Sequence, residues 1–263
     1  MRNKFRILPM LAFFSCGHAS SYPVDMNTNL LQGNSSESGF VPAERGSWAY
    51  FLRHLPIVDS PVRDYRGQPV GYQEKQAGIL PYDVGSRDLQ QCADALMRLR
   101  AEYLFSQQRT GEIGFHFTDG SYYSFDAYCK GLRPVSKGAG IRFVNGATAA
   151  PDHPSLRRYL DIVYTYAGTI SLAKELKQAE DFAIGTVVIY AGSPGHCFMI
   201  VDEKTGEDGE KLFKLAEGYT PAQSIYILRN LEADGKSPWH KLKKGVIETA
   251  SYRFTRYELK KFE

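Results

Sequence analysis

The chain has 263 residues, is 43% hydrophobic and 23% charged, and carries a formal net charge of +3. That length and hydrophobic content can supply a core of their own. The positive charge belongs to the first residues: removing Met1 to Ser15 takes away Arg2, Lys4 and Arg6 and no acid, leaving a chain near neutrality. A neutral body gives no support to nucleic-acid binding, which calls for a concentrated basic face.

In chain order, the opening MRNKFRILPMLAFFSC sets three basic residues before an apolar run, Ile7 to Phe14, and then small Ser15 and Cys16. This reads as a secretory signal over residues 1–15. The run is far shorter than the roughly 20 residues that span a bilayer, so membrane attachment is expected only through an N-terminal lipid. A cysteine behind an apolar run and ahead of Gly17 resembles the bacterial lipobox, which implies lipidation of Cys16. Cleavage after Ala19 is the alternative, and both outcomes place the chain in the cell envelope, as an outer-membrane lipoprotein or a periplasmic protein. Residues 16–40, rich in Ser and Asn, read as a flexible tether. From 41 to 263 no linker or repeat divides the chain, so a single domain is expected.

Within that domain, Asp88 to Phe105 has the period of a helix, with Leu89, Cys92, Ala93, Leu96, Leu99 and Tyr103 on one stripe. Asp88 and Gln91 fit a capping box, which starts the helix at Asp88 and puts Cys92 just past its first turn. Ile113 to Phe117 and Tyr122 to Phe125 flank a hairpin turn, and Ser155 to Ala167 reads as a second helix that continues after Gly168 from Ser171 to Gln178. Strands follow over Thr186 to Tyr190, Cys197 to Asp202, Lys211 to Ala216 and Ser224 to Leu228. Helices first and a mainly antiparallel sheet afterwards predict an α+β fold, the layer order of papain-like proteins.

The residues that could carry chemistry are few. A thiol hydrolase needs a thiolate, an imidazole and a polar group that orients the imidazole. Cys92 near a helix start and His196 at the mouth of a strand are candidates, with Glu217 at the end of the next strand as the third member. A core cysteine on an apolar stripe explains Cys92 equally well. Cys197 alternates to the face opposite His196 and reads as buried. Asp202 is excluded as a partner, because six residues of strand separate it from His196 by roughly 20 Å. Gln91 could donate to an oxyanion, although capping also accounts for it. His54, His116, His153 and His240 show no metal-ligand spacing, and no phosphate loop or GxSxG occurs, so no cofactor or metal is expected.

The chain resembles a known family through Gly46 to Pro56, Asp83 to Leu104, Tyr166 to Thr169, Gly192 to His196, Gly218 to Gln223 and Ser237 to Trp239. These stretches are similar to the exported proteins of Bacteroides-type bacteria grouped as domain of unknown function 4846. The resemblance implies an exported or lipid-anchored envelope protein and says little of function. Its relatives commonly carry an acid where this chain has Thr186 and Gln where it has Glu217. More loosely, Ile184 to Asp202 is similar to the His-containing strands of NlpC-like cell-wall cysteine peptidases, although the phrase around Cys92 lacks their Asp-Cys-Ser-Gly pattern.

Two readings follow. The first is a non-catalytic envelope protein that binds a peptide or glycan through exposed aromatics such as Trp48, Tyr122, Tyr123, Tyr219 and Trp239. The alternative is a cysteine hydrolase acting on peptide or amide bonds. The distance from the Cys92 sulfur to the His196 imidazole separates them.

Overall fold

The computed structural model describes residues 39–138, 140–232 and 237–263. The expected signal, Cys16 and nearly all of the tether lie outside the described residues. Among the described residues five α-helices are formed: α1 (Trp48–Arg53), α2 (Cys92–Ser106), α3 (Phe125–Cys129), α4 (His153–Tyr166) and α5 (Thr169–Glu175). The strands of the first half are β1 (Gln76–Ile79), the hairpin β2 (Gly114–His116) with β3 (Tyr122–Ser124), and the hairpin β4 (Leu132–Lys137) with β5 (Gly140–Asn145). Those of the second half are β6 (Lys177–Gln178), β7 (Thr186–Tyr190), β8 (His196–Thr205), β9 (Lys211–Glu217) and β10 (Tyr226–Leu228). Four short strands close the chain: β11 (Trp239–His240), β12 (Ile247–Glu248), β13 (Arg253–Phe254) and β14 (Glu258–Lys261).

The main sheet runs β1-β10-β9-β8-β7-β14-β6, with β11 also paired to β9, and its pairings are antiparallel. The chain is therefore α+β, as its order of elements predicts. The long central strands alternate between two cores. Cys197, Met199 and Val201 of β8 face the helices, where Leu96 and Leu99 of α2 and Leu160 of α4 are buried. Phe198 and Ile200 face the other way, under Phe254 and Ile247 of the closing strands. This is the period-2 division expected of a strand covered on both sides.

One boundary differs from the sequence expectation and matters for the site. Helix α2 begins at Cys92, not at Asp88. Gln91 is extended (φ −97°, ψ −154°) and acts as the N-cap, and Asp94 Oδ2 accepts the Gln91 backbone N–H at 3.0 Å, the return half of a capping box. Asp88 is used elsewhere: its Oδ1 accepts the Ala222 N–H at 2.7 Å and the Gln91 side-chain amide at 3.2 Å. Leu89 thus precedes the helix, and Cys92 is its first residue. Helix α4 starts two residues earlier than expected because Asp152 caps it, accepting the Ser155 N–H at 2.8 Å.

Candidate active site

Helix α2 packs its first turn on the sheet where β8 begins and β9 ends. The close approach has a visible cause at Gly218, where a Cβ atom would lie 2.8 Å from both the Ala95 Cβ and the Gln91 carbonyl oxygen. Any larger residue would push the strand end off the helix start. A second glycine shapes the other side. A Cβ on Gly195 would meet Thr169 Oγ1 at 2.3 Å, and Thr169 in turn donates to the Gly192 carbonyl at 3.1 Å, pinning the Gly192–Gly195 turn beside the cysteine.

These contacts gather the thiol, the imidazole and the carboxylate. The Cys92 sulfur lies 4.0 Å from the Gly195 carbonyl oxygen. His196, 3% exposed, follows Gly195 and donates from Nε2 to Glu217 Oε2 at 2.9 Å, which leaves Nδ1 for the thiol. The pairing of Met199 with Ala216 sets Glu217 across from Phe198, one diagonal step from His196 on the same face of the sheet. Glu217 is fully buried and its second oxygen is also used: Oε1 accepts from Ser251 Oγ at 2.5 Å and from the hydroxyl of Tyr226, its cross-strand partner. Aromatic rings enclose the imidazole, with Tyr252 at 4.8 Å, Tyr219 at 5.2 Å and Phe254 at 5.7 Å between centroids.

The electrostatics of the two cysteines and the histidine agree. The neighbouring Cys197 thiol holds Cys92 well below the ordinary thiol range, and the His196 imidazole adds to this against the opposing pull of burial. Cys197, fully buried on the helix side, is pushed well above that range by burial and by Cys92, so it stays a neutral donor. Burial pulls His196 down, but Cys92 and Glu217 outweigh it and lift the imidazole to about 9. Both shifts favour a thiolate beside an imidazolium, at a helix start whose unpaired N–H groups favour negative charge.

The pair opens onto a cleft of about 390 Å³, lined among others by Gln91, Cys92, Thr169, Gly195, Tyr219 and Tyr252. The other aromatics named from sequence lie away from it. Trp48 packs on Phe51 and Tyr103, at 5.6 and 5.1 Å, and Trp239 lies beneath Lys204 and Lys214. Tyr122 is exposed, whereas Tyr123, expected at the surface, is buried and donates to the Leu132 carbonyl at 2.6 Å. The alternation of β3 turns it inward. Asp202 is engaged by Arg53 at 2.7 Å and by Lys214 at 3.5 Å. Among the described residues, no group of three or more His, Cys, Asp or Glu side chains could hold a metal ion. No described helix is long and apolar enough to cross a membrane.

The family described as Domain of unknown function (4846) matches residues 35–261. The chain belongs to that family. No curated protein and no solved structure matches it. Membership thus spans both halves of the site, from Cys92 to Ser251, without naming a reaction. Sequence reasoning missed Tyr226 and Ser251, which hold the rear of Glu217. Tyr226 is one of many strand tyrosines, and Ser251 lies far along the chain in a short turn with no periodic signal. Thr169 carried a signal, as the last residue of the Tyr166-Ala-Gly-Thr169 phrase.

Proposed function

We propose that this protein is a cysteine hydrolase that opens peptide or amide bonds of an envelope or scavenged substrate. One observation carries the reading: a fully buried carboxylate holds the imidazole of His196 at 2.9 Å beside a thiol on the first residue of a 15-residue helix, at the wall of a cleft. In this scheme the Cys92 thiolate attacks the carbonyl carbon, and the backbone N–H groups at the start of α2 face the oxygen that gains charge. His196 passes its Nδ1 proton to the leaving amine as the C–N bond breaks. Water, deprotonated by the same nitrogen, then cleaves the thioester to release the acid and restore the thiolate. Glu217 fixes the ring through Nε2.

The leader sequence supports export, with anchoring through Cys16 as the proposed attachment. A non-catalytic role, binding a peptide or glycan, rests on Tyr219 in the cleft wall. It ranks second because Trp48 and Trp239 do not line the cleft and because simple binding has no use for a lowered thiol. The test is iodoacetamide labelling of the purified protein across pH. Selective alkylation of Cys92 below pH 7, lost in His196→Ala, is expected. A Cys92 that stays inert in the folded protein would overturn the reading.

A further inference from the structure

The cleft holds two polar groups that the thiol chemistry leaves unused. Asp94 and Tyr164 are 6% and 5% exposed, both line the cleft, and neither Asp94 Oδ1 nor Tyr164 Oη has a hydrogen-bond partner among the described residues. Buried polar groups in native proteins are nearly always satisfied, so two orphans on one cavity wall call for a ligand. Their neighbours supply none. Arg98 is committed to Glu102 and Asp83, and Arg157 to Asp83 and Asp161. The lining contains two carboxyl groups, Asp88 and Asp94, and no lysine or arginine.

We propose that this end of the cleft binds a primary ammonium group of the substrate through Asp94 Oδ1 and Tyr164 Oη. The inference rests on Cys92 being the nucleophile, and it narrows the substrate to peptides with a free amino end close to the bond that opens. The spacing sets how close. Asp94 is two residues beyond Cys92 on the same helical turn, which separates their Cα atoms by about 5 to 6 Å. An extended peptide advances about 3.3 to 3.6 Å per residue, so the amine lies within about two residues of the attacked carbonyl. Burial holds the Asp94 carboxyl well above the usual carboxylate range, against the lowering effect of the Gln91 N–H. An arriving ammonium compensates the charge that burial disfavours, and Tyr164 accepts a second N–H.

The experiment uses two reagents, alanyl-alanyl chloromethyl ketone with a free amine and its N-acetyl twin. In each the Cys92 sulfur displaces chloride and forms a thioether that mass spectrometry counts. Each rate is divided by the iodoacetamide rate of the same variant. The free-amine reagent should react at least about tenfold faster than its twin. The ratio should fall to near one in Asp94→Asn and severalfold in Tyr164→Phe, which leaves the cap on α2 intact. Equal rates in the unsubstituted protein, or a preference that survives in both variants, would overturn the proposal while Cys92 still reacts with iodoacetamide. Failure of iodoacetamide itself would instead remove the nucleophile, and the proposal with it.

Discussion

The molecule contains two pairs of the same residue types, one buried and one half-buried, and they differ in the third partner. His196 meets Glu217 at 2.9 Å, and His153 meets Glu102 at 3.0 Å. Glu102 also accepts from the Arg98 guanidinium at 2.6 Å, so a permanent cation already matches its charge. His153 and Arg98 together keep Glu102 below the usual carboxylate range despite burial. The other partners of Glu217 are the neutral hydroxyls of Tyr226 and Ser251, which leaves its charge to act on His196. A histidine beside a carboxylate is thus a brace where arginine shares the acid, and in the proposed hydrolase it is a proton carrier where only hydroxyls do.

The sharpest break of this contrast is Arg98→Met. It leaves Glu102 and Asp83 without their buried cation and should cost about 3 to 5 kcal/mol in denaturant unfolding, while Cys92 alkylation stays within about twofold of normal. His196→Ala should do the reverse, slowing alkylation of Cys92 at pH 6 by about a hundredfold as the thiolate loses its imidazolium partner. His153→Ala should leave that rate alone. The pH profile carries a sign of its own. Because His196 is raised to about 9, its positive charge is present below that pH and lost above it. Hydrolysis should therefore fall as pH passes 9, when Nδ1 no longer has a proton for the leaving amine, although alkylation of the thiolate continues.

Glu217→Gln should be milder, slowing alkylation about tenfold. One amide oxygen can serve His196 or the Tyr226 and Ser251 hydroxyls, but not both sets. Ser251→Ala should be mildest of all, costing about 1 kcal/mol of stability and changing alkylation less than threefold, since Tyr226 still holds Oε1.

The local rules found what repeats along the chain. Strand β7 was legible to the residue and β9 to within one residue, because each is an apolar run bounded by polar turns, whereas β8 continues three residues past the expected end at Asp202. From the alternation along β8 came the opposite faces of His196 and Cys197. The hairpin of β4 and β5, mixed in polarity along both strands, escaped, and so did β1 and β14, which take their place through pairing with distant partners. The start of α2 was misplaced because Asp88 and Gln91 satisfy the capping spacing as well as Gln91 and Asp94 do. Only the contact of Asp88 with the Ala222 N–H, 134 positions away, decides between them. The same three-residue shift moves Cys92 from the inside of a helix to its tip.

Ser251 and β14 come late in the chain, and β14 slots between β7 and β6. A ribosome delivers Cys92 long before the residues that steady Glu217, and the sheet under His196 gains its β14 neighbour only near the end. The growing chain therefore carries its cysteine without the full set of groups that tune it. In the proposed hydrolase, tuning of the thiol is complete only when the last strands have been made.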